Sequence, residues 1–469
     1  MAAALSQDSA LRLVGLWADV AQVHCLFADD AARVVLPAST AVQDGKYGAL
    51  SPARPGAAWF ERMLYDLWGH AAEGARDLRP WLDHGSWGHR RPMALRTAPI
   101  GPQPEPPSFL GSEGEDLHQV PVGPIHAGTI EPGHFRFTAH GETVVRLETR
   151  LGYAHKGTLG LMRGKPPRVA ARFAARLSGD STVAHSIAYS RAVEAALETE
   201  APARAHALRA VMAELERIAN HLGDIGAICN DAAFAFMLAR CAWHREAVLR
   251  ACARAFGHRL MMDCVIPGGI VAEMPPGSPE AIRDALAGVE AELPELLRIY
   301  QDTASLTDRV TGAGILDPHL AKLFGAGGFI GRAAGAEVDA RRSPGYPPYA
   351  DPHVPVLQDG DVNARVRIRF SEITESIRLV RQLLDDLPEG GISAPIVPGS
   401  GEGIGVAETF RGDAWVWVRI EGGMITAAFM RDPSWAHWPL LESAIRGNII
   451  ADFPLINKSF NAAYSGVDL

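Results

Sequence analysis

Soft metal ligands are scarce in this chain. It holds five cysteines, at positions 25, 229, 241, 252 and 264. None forms a Cys-x-x-Cys pair, so the chain offers no thiolate set for an iron–sulfur cluster of its own. An odd number also argues against a disulfide framework. The last four, Cys229, Cys241, Cys252 and Cys264, recur at near-helical intervals. That pattern fits small buried apolar side chains on one side of helices. Among the acids, Asp231 stands beside Asn230, next to the apolar run from Ala232 to Leu238. A carboxylate there is either held by a partner and tuned for proton transfer, or it ends a helix in solvent. Gly325 to Gly335 is glycine-rich but lacks the lysine and the strand-then-helix setting of a phosphate loop. With no dinucleotide fingerprint elsewhere, NAD would have to be bound by another chain.

These residues need elements to position them. At 469 residues the chain is too long for one typical core, and two or more domains are expected. Apolar residues make up 47% and charged ones 21%, as in soluble globular proteins. A formal charge of −9 argues against nucleic acid as a partner. No apolar run reaches the ~18 residues of a membrane span, and Met1 to Trp17 lacks the basic start of a signal peptide. A cytoplasmic chain that meets a membrane only through partners is expected. Leu11 to Val20 reads as a short helix, and Val34 to Leu36 as a strand ended by Pro37. Trp59 to Gly69 has helical apolar spacing at 60, 63, 64, 67 and 68. Five prolines between Pro99 and Pro107 mark a stiff linker. Beyond it, Phe135 to Glu148 alternates about His140-Gly141-Glu142 as a β-hairpin. Pro202 sits in the first turn of a helix whose stripe runs from Leu208 to Leu222. Phe234 to His258 reads as a helix apolar all round and therefore buried. Ser278-Pro279-Glu280 starts another, with the serine as cap and Pro294 interrupting it. Asp361 to Leu387 reads as a helix and Trp415 to Ile420 as a strand.

Several motifs in order carry a resemblance. They are Arg176-Leu177-Ser178-Gly179-Asp180-Ser181, Gly123-Pro124-Ile125-His126, Glu131 to Arg136, Glu214 to His221, Pro267-Gly268-Gly269-Ile270, Glu408-Thr409-Phe410-Arg411-Gly412, Arg446-Gly447-Asn448 and Ser459 to Gly466. Over 120–469 the chain resembles the large subunit of membrane-bound, group 4 [NiFe] hydrogenases and the 49-kDa-type subunit of complex I. Over 1–100, Trp59 to Gly69 with Asp77 to Leu82 resembles the 30-kDa-type subunit. The resemblance implies an α+β protein with a small N-terminal α/β domain (1–100) and a Pro-rich linker (101–119). The remainder, 120–469, would be a mainly helical hydrogenase-like domain with a small β-hairpin region.

In hydrogenases each of two segments carries a Cys-x-x-Cys pair that holds nickel. The matching positions here are Ser178, Ser181, Ala463 and Gly466. A serine hydroxyl is a hard, weak donor, and alanine and glycine offer none. The resemblance therefore implies a metal-free relative, of the energy-converting-hydrogenase-related type. By the same resemblance, Asp231 matches an acid beside a quinone headgroup, and His126 or His134 the histidine that contacts it. Glu131 matches a proton-relay glutamate, and Arg411 the arginine over the metal. Asp180 and Ser181 would line the ligand pocket, with His185 orienting them. Gly179 replaces a tyrosine, which removes one headgroup donor. Two readings follow. In one, the chain binds no cofactor itself, takes electrons from a small iron–sulfur subunit and passes them to an acceptor such as quinone. Antiporter-like membrane-arm subunits would pump ions, and the chain would lie peripherally on the inner face of the membrane. In the other, it is a non-catalytic scaffold whose pocket is filled by side chains, with Glu131, Arg176 and Arg411 pairing with Asp180. Arg341 and Arg342, next to Asp339, are expected to form a solvated or interface charge pair.

Overall fold

A strand, not a helix, opens the described chain. The computed structural model describes residues 10–85, 87–94, 108–114, 116–125 and 130–469. Strand β1 (Arg12–Ala18) is buried along its whole length. It pairs antiparallel with β2 (Gln22–Asp29), and β2 with β3 (Val34–Ala41). A strand covered on both faces reads as a continuous apolar run, which periodicity does not separate from a short helix. The chain passes through Pro37 because β3 is the sheet edge, where a missing N–H costs little. After β4 (Lys46–Gly48) comes α1 (Ala58–Trp68), closed by Gly69 in the left-handed region. Strand β5 (Ala71–Glu73) pairs parallel with β4.

The second part begins with an antiparallel sheet of β6 (Leu117–Val122), β7 (His134–His140) and β8 (Thr143–Arg150). Two short helices, α2 (Thr158–Met162) and α3 (Pro167–Ala174), lead into α4 (Thr182–Ala196). The long α5 (Ala203–Asp231) follows, with Pro202 just ahead of its first residue. The next helix, α6 (Ala235–Phe256), is buried on one face only. Phe236, Leu238 and Trp243 point outward, with Arg240 between them.

A short hairpin, β9 (Val265–Ile266) and β10 (Gly269–Ile270), precedes α7 (Ser278–Asp302). Gly277, in the left-handed region, occupies the cap position expected of Ser278. Helix α7 also continues through Pro294, which lies on the exposed face. There the carbonyl left without an N–H can be hydrated. Then come α8 (Ala304–Val310), α9 (Pro318–Leu323), α10 (Gly328–Ala333) and α11 (Val362–Asp385), the last capped by the Asp361 carboxylate. An antiparallel sheet of β11 (Gly401–Thr409), β12 (Gly412–Glu421) and β13 (Met424–Arg431) packs on α4. Helices α12 (Ser434–Ala444), α13 (Phe453–Phe460) and α14 (Ser465–Asp468) end the chain.

The architecture is α+β, and one continuous core joins its parts. Trp17 stacks on Phe429 at 5.5 Å and Phe60 on Trp435 at 4.3 Å. The guanidinium of Arg12 donates to Asp413 at 2.8 Å. The N-terminal sheet thus packs against the C-terminal one. Among the described residues, no helix is long and apolar enough to cross a membrane.

Candidate functional site: a pocket closed by ion pairs

The Ser178–Ser181 segment and the Ala463–Gly466 segment meet beneath the β11–β12 turn and the start of α12. Each is placed by a local device. Gly179–Ser181 form a tight turn leading into α4, and the Glu216 carboxylate accepts the free amides of Val183 (2.8 Å) and Ala184 (3.2 Å) at the start of that helix. Asn461 takes a left-handed conformation, which asparagine tolerates, and so ends α13 and turns the tail inward. Ser434 Oγ then accepts the Ala463 amide at 2.8 Å, and Trp438 Nε1 donates to the Ala463 carbonyl at 3.0 Å.

The space between the segments is occupied by charge. Arg411, buried, donates through Nη1 to Asp180 Oδ1 at 2.8 Å and through Nη2 to Oδ2 at 2.5 Å. It reaches Ser181 Oγ at 3.3 Å, and its Nε donates to the Asn461 carbonyl. Ser178 Oγ donates to Asp180 at 2.7 Å. Burial pushes the Asp180 carboxyl up, but Arg411 and Ser178 outweigh it and hold it below the ordinary range. On the other side, fully buried Asp432 pairs with His185 Nε2 at 2.9 Å and accepts the Ser434 amide at 2.8 Å. Against the cost of burial, these contacts and Arg411 also keep its carboxyl low. A third carboxylate, Asp224 on α5, takes Asn461 Nδ2 at 2.9 Å and both Lys458 Nζ and Arg369 Nε at 3.3 Å.

Nickel does not fit this donor set. The residues at the four positions are two serines, an alanine and a glycine, and all five cysteines lie elsewhere as free thiols. A Cβ added to Gly466 would stand 2.7 Å from Asp432 Cγ and 3.0 Å from the Ala463 Cβ. A cysteine at 466 therefore has no room while Asp432 is in place. Among the described residues, no group of three or more His, Cys, Asp or Glu side chains is arranged to hold a metal.

The structure brings Asp180, Ser181 and Arg411 together, and places His185 beside them. His185 pairs with Asp432, however, not with the Asp180 cluster. Glu131 sits at the rim, accepting the Ser465 amide at 2.9 Å, and does not pair with Asp180. Nor does Arg176, which binds Asp263 at the surface. His134 packs against Phe109 with ring centroids 4.7 Å apart, beside Arg136 and Arg150, and Asp231 is not among its partners. Burial and those two arginines push its imidazole down to about 4, so it is neutral at physiological pH. His126 lies outside the described residues. Asp231 is the last residue of α5, two turns beyond Asp224. Its side chain is exposed at the helix end; partial desolvation raises its carboxyl and Lys458 opposes that. A Cβ on Gly179 would meet nothing within 4 Å, so that position opens outward. Arg341 is not solvated: it is buried, donating to Asp339 at 2.6 Å and to Glu214 at 3.0 Å. Arg342 alone makes an exposed pair, with Glu337.

Sequence reasoning missed Asp432, Asp224, Lys458 and the whole buried set behind the pocket. The signal was present in α5, where Glu214, Arg217, His221 and Asp224 interrupt the apolar stripe at helical spacing.

Known proteins resemble this chain over most of its length. Residues 11–99 match the 30 Kd subunit of respiratory-chain NADH dehydrogenase, 156–223 the nickel-dependent hydrogenases, and 230–399 the 49 Kd subunit of respiratory-chain NADH dehydrogenase. Formate hydrogenlyase subunit 5 of Escherichia coli (strain K12) is 28% identical over 90% of this chain and 77% of its own length. The D-type subunit of NADH-quinone oxidoreductase in Desulfitobacterium hafniense (strain Y51) is 32% identical over 62% of this chain and 79% of its own. A chain in the structure of the membrane-bound sulfane sulfur reductase, an archaeal respiratory membrane complex, superposes with a TM-score of 0.71 at 25% identity. The match covers 76% of this chain and 99% of that one. The chain belongs to the family that unites the large subunits of group 4 membrane-bound hydrogenases with the 49-kDa-type subunit of complex I, here joined to a 30-kDa-type unit.

Proposed function

We propose that this chain is a peripheral subunit of a membrane-attached, complex-I-related oxidoreductase, and that the former nickel pocket works as a closed, charge-balanced joint. The observation that carries this reading is the occupation of the pocket by Asp432 and by the Arg411–Asp180 pair. In this role the chain holds no cofactor. It lies on the cytoplasmic face of the membrane, between a small iron–sulfur subunit and membrane-arm subunits, and transmits rather than performs the redox step. A second reading, electron transfer to quinone, is favoured by Asp231, whose carboxyl partial desolvation raises, and by the open space at Gly179. There His126 and Asp231 would supply protons, and Glu131 would relay them.

The test is to recover the tagged chain from native membranes in mild detergent and identify every co-purifying polypeptide. A small iron–sulfur subunit with antiporter-like membrane subunits is the expected result. Recovery alone, or with soluble partners only, would contradict the assembly. Quinone reductase activity that falls in Asp231→Asn would favour the second reading over the first.

A further inference from the structure

Behind the pocket lies a cluster of ionisable groups that the reading above does not use. Helix α5 contributes Glu214, Arg217 and His221, α10 contributes Arg332, and α11 contributes Glu372. The turn after α10 adds Asp339 and Arg341, and the end of β11 adds Glu408. All are essentially excluded from water. Tyr346 and Tyr349 cap the group: Tyr346 Oη accepts the Glu408 amide at 3.0 Å, and Tyr349 Oη donates to Glu214 at 2.7 Å.

The charges do not balance. The cluster has four carboxyls and three guanidiniums. His221 does not supply the missing positive charge. Its Nε2 meets Glu372 at 2.8 Å, while Nδ1 is buried with no partner. A doubly protonated ring would leave a buried N–H unsatisfied, which is costly. The pocket in front cannot lend a charge either. There Arg369, Lys458 and Arg411 are matched by Asp224, Asp180 and Asp432.

The hydrogen bonds locate the deficit. Arg332 Nη2 has two hydrogens but three acceptors: Val338 O at 3.0 Å, Asp339 Oδ2 at 2.7 Å and Glu408 Oε1 at 2.5 Å. The Nε hydrogen of the same guanidinium, meanwhile, has no acceptor. Two carboxylates and a carbonyl crowd one nitrogen; Asp339 Oδ2 is also held by Arg341 at 2.6 Å and Glu408 Oε2 by the Ala340 amide at 2.8 Å, which leaves Glu408 Oε1 dependent on Arg332. Like carboxyls sharing a site do not both ionise.

We propose that Asp339 and Glu408 share one proton, so that this carboxyl pair is a buried proton-binding site directly behind Arg411. The step is simple uptake and release: a proton from water joins one carboxylate oxygen and no electrons move. Glu408 is the member that carries the proton. Burial and the Asp339 charge push its carboxyl up to about 7, against the pull of Arg332. Asp339, held by Arg341 and Arg332, stays ionised. Because Glu408 and Arg411 share the β11–β12 turn, a change of charge at the pair is felt at the ion pair that closes the pocket.

The test is infrared spectroscopy of the purified full chain across the value of about 7. Glu216, Glu442 and Asp468 are also raised by burial into this range, so the contribution of the pair is read as the difference between wild type and variant. The wild type is expected to show a protonated-carboxyl component below that pH which fades above it, and Glu408→Gln, a neutral mimic of the protonated side chain, removes that component. Asp339→Asn also removes it, because Glu408 then ionises, and this keeps the test open should the first variant fail to fold. Asp180→Asn leaves it in place. Unchanged carboxyl bands in both Glu408→Gln and Asp339→Asn would overturn the proposal.

Discussion

Asp432 ties the two motif segments together through His185 and Ser434. Its carboxylate meets His185 and the Ser434 amide, and Ser434 in turn holds Ala463. Removing one partner of a buried pair strands the other, so Asp432→Asn is expected to lose about 3 kcal/mol at neutral pH in urea unfolding. The pH dependence has a definite sign. The folded carboxyl lies below the ordinary value of 3.8, so the ionised group adds stability that is complete above that value. The contribution disappears as pH falls through the folded value. The gap between wild type and Asp432→Asn should therefore narrow in acid, and a gap that widens there would refute the pairing. Gly466 makes the complementary case. Gly466→Ala places a methyl 2.7 Å from Asp432 Cγ and should cost about 1–3 kcal/mol. Combined with Asp432→Ala, the cost of the second change should shrink. Additive losses in that double-mutant cycle would mean the two residues do not compete for space.

At the scale of elements, the site depends on how closely α4 lies on β11. A Cβ on Gly405 would meet the Ala188 carbonyl oxygen at 2.1 Å, and one on Gly403 the Ala192 oxygen at 2.1 Å. Backbone atoms of a buried helix cannot give way as a flexible side chain can. Gly405→Ala is thus expected to lose about 3 kcal/mol or more and to loosen the Ser178–Ser181 turn at the head of α4. Unaltered thermal unfolding of this variant would show that the contact is softer than the geometry implies. Elements with a regular apolar stripe were legible in the sequence: α1, α5, α11 and the β7–β8 hairpin follow their apolar spacing. Those with unusual burial were not. β1 is covered on both faces and so imitates a helix. In α6, cysteines and alanines look uniformly apolar, yet Phe236 and Trp243 face outward. Pro294 fits inside α7 because its face is wet, a fact that only packing decides.

For the whole molecule, the family and the presence of both its 30-kDa-type and large-subunit parts could be read from sequence. Which acids would meet in the emptied space could not. Asp224, Asp432 and Asp180 lie far apart in the chain and converge only through the tertiary fold, and nothing local marks Asp432 as the partner of His185. The pairing expected between Arg176 and Asp180 failed for the same reason, since Asp263 is nearer in space. The continuous core from Trp17 and Phe60 to Phe429 and Trp435 makes the N-terminal unit part of the framework that holds this site. The central claim is that side chains have replaced the metal. Its most direct test is the nickel content of the chain isolated within its native membrane assembly. The account predicts far less than one nickel per chain, unchanged when nickel is supplied during growth. One nickel per chain, retained through dialysis against a chelator, would contradict it.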